Sequence, residues 1–271
     1  MKRVFITGAS AGIGLATAKL LVERGDEVWG TSRDTSRLPS LPRFHPVRLE
    51  LSDNVSLGES FNAALREASH FDVVINNAGD IAYFGPMESL SLETLRAQFQ
   101  TLVFAHIELY RLALAAMRAR GSGRVINVTS LAARLPVPFQ GPYNAAKAAM
   151  ASLTMSMQVE LEGSGIRIID VQPSDIRDTR LHDMIAENLR GDRPHSSGME
   201  RVWRVANRNI KAAPGPELVA RRIAKVIDAT NPPPRVTVGG TFEATIAPLI
   251  FRFLPQRVRI WGLKFYYKLP H

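Results

Sequence analysis

The stretch VFITGASAGIG, residues 4–14, decides the fold of this chain. Its first four residues are apolar or β-branched and predict a short strand, and a helical pattern over residues 13–24 begins where the glycines end. Glycines between a strand and a helix let the backbone approach a pyrophosphate, which the N–H groups and the dipole of the helix then bind. A tight turn with positive φ angles is the alternative. The stretch therefore predicts a phosphate cradle at the start of a dinucleotide-binding fold.

The composition excludes several classes of protein. The chain has 271 residues, 45% hydrophobic and 22% charged, which favours one globular domain over a disordered, fibrous or disulfide-held chain. It has no Cys, which excludes disulfides, thiolate metal ligands and cysteine nucleophiles, and we predict no metal site. A net charge of +9 suits an anionic ligand, a membrane surface or nucleic acid without choosing among them. The apolar run at the N-terminus ends at Gly8, too early for a signal sequence, so we expect a cytoplasmic chain.

Strand and helix patterns alternate along the whole chain. Strands are predicted at residues 4–7, 27–30, 46–51, 72–76, 124–129, 167–172 and 235–238, and helices at 13–24, 55–68, 92–120, 143–162 and 216–229. We therefore predict an α/β fold, a single Rossmann-type, doubly wound domain with a mostly parallel seven-stranded sheet and helices on both faces. We expect the domain to span residues 1–240, with a polar, lid-like segment at about 175–214. A basic, aromatic C-terminal extension follows at 241–271.

Four motifs lie at the ends of predicted strands. They are the turn at residues 7–14, Asn76-Asn77-Ala78-Gly79 after the fourth strand, Ser130 after the fifth, and Tyr143-x-x-x-Lys147 at the start of the next helix. In this order and spacing, the chain resembles the short-chain dehydrogenase/reductase family over roughly residues 3–240. The resemblance implies an oxidoreductase that transfers a hydride between a nicotinamide cofactor and a carbonyl or secondary alcohol group.

The Tyr143 and Lys147 pair carries the proton chemistry in this interpretation. The two residues are four apart and so share one face of a helix. An ammonium beside a phenol favours the phenolate. Lowering a tyrosine pKa from about 10 to about 7 takes about 4 kcal/mol, which in this interpretation the lysine, a cationic nicotinamide and local dipoles supply together. We expect Tyr143 to be the acid/base and Lys147 to activate it. The resemblance implies that Lys147 also holds the nicotinamide ribose and that Ser130 anchors the substrate oxygen. Taken alone, a surface Tyr–Lys pair and a serine helix cap are common structural features.

The residues after the second predicted strand bear on the choice of cofactor. No carboxylate stands at the strand end to accept a ribose 2′-OH, whereas Arg33 can pair with a 2′-phosphate. This favours NADP(H), with NAD(H) and a solvated Arg33 as the alternative. The resemblance also places Glu50 against the adenine. The predicted cofactor contacts are Gly8, Ser10, Gly12, Ile13, Gly14, Arg33, Glu50, Leu51, Asn77, Ala78, Gly79, Tyr143, Lys147, Pro173 and Ile176.

One position departs from the family pattern. The family has an asparagine in the long helix before the fifth strand, where it keeps a water that relays protons from the lysine. In this chain Leu102 takes that place, in the segment FQTLVFA at residues 99–105. An isobutyl group makes no hydrogen bond, so proton resupply needs another route, such as His106, Gln98 or the backbone. The alternative function is a nicotinamide-binding protein of this fold with lost or altered activity, either redox-neutral or regulatory.

The predicted substrate walls are apolar. They contain Tyr83, Phe84, Leu131, Leu135, Val137, Phe139, Met184 and Trp203. These residues favour a bulky lipophilic substrate of steroid, retinoid, polyketide or fatty-acyl type, unless they only pack the lid onto the core.

The C-terminal extension is basic and aromatic, and its composition bears on the predicted partners. No acidic residue follows Glu243, and the mixture of cations and aromatic residues suits a tail that lies on an anionic membrane surface or covers the substrate site. The alternative, which we favour over membrane contact, is an extension packed on the body or on a second subunit. The resemblance implies a homodimer or homotetramer, and no nucleic-acid-binding module is recognisable.

Overall fold

Strands and helices alternate in the structure as they do in the sequence pattern. The computed structural model describes residues 1–177, 197–240 and 242–270. The strands are β1 (Arg3–Ile6), β2 (Glu27–Ser32), β3 (Phe44–Arg48), β4 (Val73–Asn76), β5 (Gly123–Val128), β6 (Ile166–Pro173) and β7 (Arg235–Val238). The α-helices among the described residues are α1 (Gly12–Glu23), α2 (Asn54–Ala68), α3 (Leu92–Phe99), α4 (Ala105–Arg120), α5 (Gly141–Glu160), α6 (Ser197–Ala212), α7 (Glu217–Asp228), α8 (Ala247–Phe253) and α9 (Gln256–Tyr266).

The seven strands form one sheet in the order β3-β2-β1-β4-β5-β6-β7, and every neighbouring pair is parallel. The order grows from β1 outward through β2 and β3, then resumes on the other side of β1 with β4. The carboxyl ends of β1 and β4 therefore lie side by side at the switch point, where doubly wound sheets bind their ligands. The predicted fold class is confirmed.

Apolar side chains cover both faces of the sheet. On β1, Val4 and Ile6 face the layer that contains α1 and α7, whereas Phe5 faces the layer that contains α2, α4 and α5. All three are fully buried. Burial on both faces explains why the central strands are almost continuously apolar instead of alternating with polar residues. The sheet is therefore a rigid base for the loops that leave its carboxyl edge.

Two predicted elements differ from the structure. β3 ends at Arg48 instead of residue 51, because Glu50 accepts a hydrogen bond from the Ser52 N–H in a turn and Asp53 then caps α2. The helix predicted at 92–120 is interrupted by a π-helical turn, Gln100–Phe104, which separates α3 from α4. π-turns within helices are often found at functional sites. This one contains the unusual Leu102.

The lid and the C-terminal extension contain more regular structure than the sequence predicted. α6 lies within the predicted lid and buries Met199, Val202 and Val205 on one face. Residues 178–196, which include Met184, lie outside the described residues. The extension forms α8 and α9, and Tyr267 after α9 is buried against the body. Among the described residues, no helix combines the length and the apolar character that crossing a bilayer requires.

Candidate active site

The glycine-rich turn is held in place by Thr7. Its hydroxyl oxygen accepts hydrogen bonds from the backbone N–H groups of Asn77 and Ala78, each at 2.9 Å. The Asn77 side-chain amide donates in return to the Thr7 carbonyl oxygen, also at 2.9 Å. The residues after β1 and the residues after β4 are therefore fixed to each other by side-chain and backbone hydrogen bonds.

The glycines of this turn are required by its geometry. Gly8 and Gly12 have φ angles of 72° and 53°, in the left-handed region that side chains other than glycine rarely adopt. A Cβ atom on Gly14 would lie 2.1 Å from the Gly8 carbonyl oxygen and 2.6 Å from the Asn77 amide nitrogen. The turn therefore presents bare backbone at the N-terminus of α1, which is what a pyrophosphate group needs. This geometry fits a dinucleotide phosphate.

A single cavity of about 770 Å³ joins the turn to the carboxyl edge of the sheet. The predicted cofactor residues on its wall are Gly8, Ser10, Gly12, Ile13, Arg33, Glu50, Leu51, Asn77, Ala78, Gly79, Tyr143, Lys147, Pro173 and Ile176. Gly14 is the one predicted cofactor residue that does not line the cavity. It lies beneath the turn, where the absence of a side chain leaves room for the Gly8 carbonyl oxygen. Ser130 lines the same cavity, so the predicted cofactor and catalytic residues meet in one site.

The residues after β2 give the cavity a cationic corner. Arg33 is exposed and lines the cavity. The Asp34 carboxylate accepts hydrogen bonds from the backbone N–H and the hydroxyl of Ser36, and these bonds hold the pKa of Asp34 below its usual value. Asp34 is therefore engaged as the cap of a 3₁₀ turn. Arg37, at the end of that turn, also lines the cavity and was not predicted from the sequence.

The three predicted catalytic residues lie on β5 and α5. Ser130 follows β5 and caps a short 3₁₀ turn, where its hydroxyl oxygen accepts a hydrogen bond from the Ala132 N–H at 3.1 Å. Tyr143 and Lys147 lie on the first turns of α5, and 8% and 5% of their surfaces are exposed. The Lys147 ammonium donates to the Val128 carbonyl oxygen at 2.9 Å and lies 5.8 Å from the centre of the Tyr143 ring. The pair predicted from helical spacing is therefore assembled at the cavity wall.

Burial of the Tyr143 phenol acts against the ammonium of Lys147 on the pKa of the phenol. Burial raises the pKa of Tyr143 to about 12, although a hydrogen bond with Ser130 acts in the other direction. Burial lowers the pKa of Lys147 to about 8, and the carboxylates of Asp170 and Asp80 oppose that shift. In the protein without cofactor, loss of solvation outweighs the nearby ammonium. The expected lowering includes a cationic nicotinamide, so it stays a prediction for the cofactor complex. In this state Tyr143 is a proton donor.

Leu102 closes the position where the family places an asparagine. Its side chain is fully buried, and a Cβ atom on Gly79 would lie 2.6 Å from Leu102 Cδ2 and 3.6 Å from Lys147 Nζ. The isobutyl group therefore fills the space beside the ammonium. Gln98, one of the predicted alternatives for proton transfer, is engaged elsewhere, because its amide donates to the Asp80 carbonyl oxygen and accepts from the Ala82 N–H.

His106 lies one helical turn after Leu102 and is 2% exposed. Its Nε2 atom has no hydrogen-bond partner among the described residues. Burial, reinforced by the charge of Lys147, lowers the pKa of His106 to about 3, so the imidazole is neutral. With a pKa near 3 the imidazole does not take up a proton in the neutral range, and its ring also hydrogen-bonds to the Leu102 and Ala78 backbone. In this structure His106 is therefore a neutral hydrogen-bonding group beside Lys147.

The apolar wall differs in part from the prediction. Leu131, Leu135 and Val137 line the cavity, whereas Phe84, Phe139 and Trp203 belong to the apolar cluster beside it. Tyr83 is buried and donates its hydroxyl proton to the Pro86 carbonyl oxygen. The C-terminal extension, which the sequence analysis offered as one possible cover of the substrate site, contributes Ala247, Ile250, Phe251, Leu254, Val258, Leu263, Tyr266 and Tyr267. Ala206 and Ile210 of α6 were missed by the sequence interpretation. The apolar spacing of Met199, Val202 and Ile210 was the available signal for α6.

Comparisons with known proteins identify the family of the chain. A family model described as short chain dehydrogenase matches residues 2–190. The chain is similar to a 3-ketodihydrosphingosine reductase of Bacteroides thetaiotaomicron, with 26% identity over 267 residues that cover 98% of each protein. It is also similar to the ketoacyl reductase HetN of Nostoc sp., with 31% identity over 239 residues that cover 85% of this chain and 79% of that protein.

A solved structure shows the same likeness in three dimensions. It is a short-chain dehydrogenase from Streptomyces avermitilis, with a TM-score of 0.79 and 27% sequence identity. The match covers 98% of this chain and 96% of that one, so it extends beyond the sheet and includes the C-terminal helices.

Proposed function

The chain belongs to the short-chain dehydrogenase/reductase family, and from that premise we propose that it is an NADP(H)-dependent reductase of a bulky lipophilic ketone. Members of this family are oxidoreductases, and this chain is one that acts on CH–OH and C=O groups with a nicotinamide cofactor. The observation that carries the proposal is the single cavity in which the glycine-rich turn, the Ser130, Tyr143 and Lys147 side chains and an apolar wall meet.

The cationic corner supports NADP(H) as the cofactor. Arg33 and Arg37 line the cavity beyond β2, where a 2′-phosphate on the adenosine ribose would be bound. Asp34 is the nearest acidic residue along the chain, and its carboxylate is already bonded to Ser36. Two guanidinium groups bind a phosphate well, and the Asp34 carboxylate, already bonded to Ser36, is not available to accept a ribose hydroxyl. When bound, the cofactor supplies the hydride that reduces the carbonyl carbon.

Tyr143 supplies the proton for the same reduction. The carbonyl carbon gains a hydride, the C=O double bond becomes a single bond, and the oxygen takes a proton from the Tyr143 hydroxyl. Because burial raises the pKa of Tyr143 to about 12, the phenol is protonated and ready to donate throughout the neutral range. Ser130 donates a second hydrogen bond to the developing oxyanion and fixes its position. The surrounding charges of Lys147 and the bound cofactor then stabilise the phenolate that remains.

Lys147 supports proton resupply. The Lys147 ammonium is held between the Val128 carbonyl oxygen and the Tyr143 ring and carries protons that can replace the one lost. Leu102 stands where the family has an asparagine, so the amide that would hold a relay water is absent from this position.

The wall of the cavity supports a lipophilic substrate. Leu135, Ile210, Phe251 and Leu263 present carbon surface to the space beside Ser130 and Tyr143. A long apolar chain gains about 0.8 kcal/mol for each buried methylene group. Two of the relatives have names that denote reduction of keto groups on a sphingoid base and on acyl compounds. Both observations favour a keto group on a long alkyl or acyl chain.

Buried Leu102 also favours one alternative. If its side chain stops proton resupply, the protein would bind NADP(H) and carry out a redox-neutral or regulatory function. This alternative predicts slow or absent net consumption of the cofactor. Intact Ser130, Tyr143 and Lys147 in one cavity favour the reductase.

Deuterium transfer from the cofactor tests the proposal directly. NADPH carrying deuterium at nicotinamide C4 is incubated with 3-keto compounds of increasing chain length, and the product alcohols are analysed by mass spectrometry. We expect an alcohol one mass unit heavier than with ordinary NADPH, with faster conversion of the longer chains. The same reaction with NADH is expected to be at least about tenfold slower, because Arg33 and Arg37 lose their phosphate partner. Bound NADPH without deuterated alcohol from any chain length would overturn the reductase proposal in favour of the alternative.

A further inference from the structure

The outer surface of the two C-terminal helices is unusually apolar. Leu249 and Phe253 of α8 and Ile260, Trp261 and Phe265 of α9 are 59%, 75%, 48%, 56% and 68% exposed. We call these five residues the C-terminal apolar face. Trp261 and Phe265 are stacked on each other in solvent, with ring centroids 5.7 Å apart. Large apolar side chains that cluster on a surface mark a site of contact with another apolar phase.

The opposite side of the same helices is also apolar. Phe251, Leu254 and Leu263 line the cavity, and Tyr267 is buried in the apolar cluster beside it. None of the five residues of the C-terminal apolar face lines that cavity. A helix that is apolar on both sides does not fit a simple boundary between a protein core and water. The two helices therefore carry apolar side chains both on the cavity wall and on the exposed surface.

The segment is also strongly basic. Residues 244–271 contain five cationic side chains and no carboxylate, whereas the chain as a whole has 34 basic and 25 acidic residues. The cations are Arg252, Arg257, Arg259, Lys264 and Lys268. None of them forms an ion pair with a described carboxylate. Cations beside exposed aromatic rings complement an anionic surface that has an apolar layer beneath it, and lipid headgroups above acyl chains have this composition.

The two helices are joined firmly enough to act as one surface. Arg259 of α9 donates hydrogen bonds to the carbonyl oxygens of Leu254, at 2.7 Å, and Arg252, at 2.8 Å. Its guanidinium also lies 5.3 Å from the centre of the Phe251 ring. This contact fixes the turn between α8 and α9. α9 has 11 residues, about half of the roughly 20 that a spanning helix needs, so it can lie in the plane of a bilayer but not cross it.

We propose that the C-terminal apolar face docks on a bilayer surface that contains anionic lipids. Phe253, Trp261 and Phe265 insert between the headgroups, and Arg252, Arg257 and Lys264 contact the phosphates. Docking places the wall formed by Phe251, Leu254 and Leu263 against the membrane, so that an apolar substrate has a short path into the cavity. The proposal goes beyond the proposed reductase function, because it concerns binding of lipid and needs neither cofactor nor ketone.

Vesicle flotation tests the proposal with the full-length protein. We expect strong binding to vesicles with 30% phosphatidylglycerol and at least about tenfold weaker binding to pure phosphatidylcholine, with a marked loss at 0.5 M salt. The double variant R252Q/R257Q is expected to bind the anionic vesicles at least about tenfold more weakly than the wild-type protein. In the triple variant F253S/W261S/F265S, binding to the anionic vesicles should fall to background. A matched triple variant at exposed apolar positions elsewhere, V55S/M87S/L92S, should bind like the wild-type protein.

Two further readouts keep the test decisive. Lipids brominated near the headgroup should quench tryptophan fluorescence, and the quenching should disappear in W261F while NADPH affinity remains unchanged. Equal flotation of the wild-type and F253S/W261S/F265S proteins would overturn the proposal. A second result would also overturn it: the wild-type protein binds no vesicles, and light scattering shows an oligomer for the wild-type protein but a monomer for the triple variant. The C-terminal apolar face would then bind a second copy of the chain. Because no ketone is present, loss of reductase activity does not affect the outcome.

Discussion

The two sides of the cavity are built by different physical means. On the cofactor side, hydrogen bonds and backbone contacts fix each position, as when Thr7 accepts two backbone N–H groups and Gly14 has no room for a Cβ atom. On the other side, α6, α8 and α9 form a wall of apolar contacts, in which Ile210 and Leu263 have no polar partner to satisfy. Directional contacts specify one cofactor, whereas apolar contacts accept a class of substrates. The reaction is thus determined by one side and the range of substrates by the other.

Gly14→Ala should produce the largest effect on the cofactor side. The added methyl group would lie 2.1 Å from the Gly8 carbonyl oxygen, so the turn must move. We expect NADPH affinity, measured by fluorescence titration, to fall by at least about 100-fold. Gly58→Ala is the control, because Gly58 lies in α2 with nothing within 4 Å of the added atom. An affinity within threefold of the wild-type value in Gly14→Ala would show that the turn is not the rigid element described above.

Lys147→Met tests the electrostatics between the two sides. Burial lowers the pKa of Lys147 to about 8 from 10.5, so between these values the unfolded chain binds more protons than the folded one. The free energy of unfolding of the wild-type protein should therefore rise by about 2 kcal/mol from pH 8 to pH 10 relative to Lys147→Met. Denaturant titrations of both proteins at the two pH values measure the difference. Parallel pH profiles would contradict a buried ammonium at this position.

Arg33→Ala should have an intermediate effect, restricted to one cofactor. We expect the KM for NADPH to rise about tenfold and the KM for NADH to stay the same, because only the 2′-phosphate loses a partner. Arg48→Ala is the matched control, since Arg48 is an exposed residue at the end of neighbouring β3 and does not line the cavity. If both cofactors were affected equally, Arg33 would contribute to the general shape of the turn and not to phosphate recognition.

Leu263→Ala should give the smallest effect, and on the substrate side alone. Removing part of the apolar wall is expected to raise the KM for a long-chain ketone by about five- to tenfold. The KM for NADPH should not change. Ile260→Ala, which shortens an exposed residue of the same helix outside the cavity, is the control. A parallel loss of cofactor binding in Leu263→Ala would remove the separation between the two sides.

The same difference explains what could be predicted from the sequence. The fold and the positions of Gly8, Ser130, Tyr143 and Lys147 at one cavity follow from motifs, because directional contacts require particular residue types at fixed spacing. The apolar wall of the cavity does not require particular residue types at fixed spacing. α6 was interpreted as part of a polar lid, because the charged residues on its exposed face conceal the apolar spacing that buries Met199, Val202 and Val205.

Two features depend on tertiary structure and could not be predicted from the sequence. The pKa of Tyr143 depends on how completely the folded chain removes water, and helical spacing to Lys147 shows only that the two side chains are neighbours. The neutral state of buried His106 and the engagement of Gln98 with Asp80 and Ala82 likewise follow from the folded structure. Sequence spacing names the candidates, and solvation and hydrogen-bond partners decide among them.

Tyr143→Phe tests the central claim most directly. The kcat/KM for reduction of a long-chain ketone with NADPH is measured for the wild-type protein, for Tyr143→Phe and for the control Tyr110→Phe, whose side chain lies outside the cavity. Because only the phenolic hydroxyl group is removed, we predict a loss of about 1,000-fold in Tyr143→Phe, NADPH affinity within twofold of the wild-type value, and no change in Tyr110→Phe. Activity of Tyr143→Phe within tenfold of the wild-type value would contradict the assignment of Tyr143 as the proton donor.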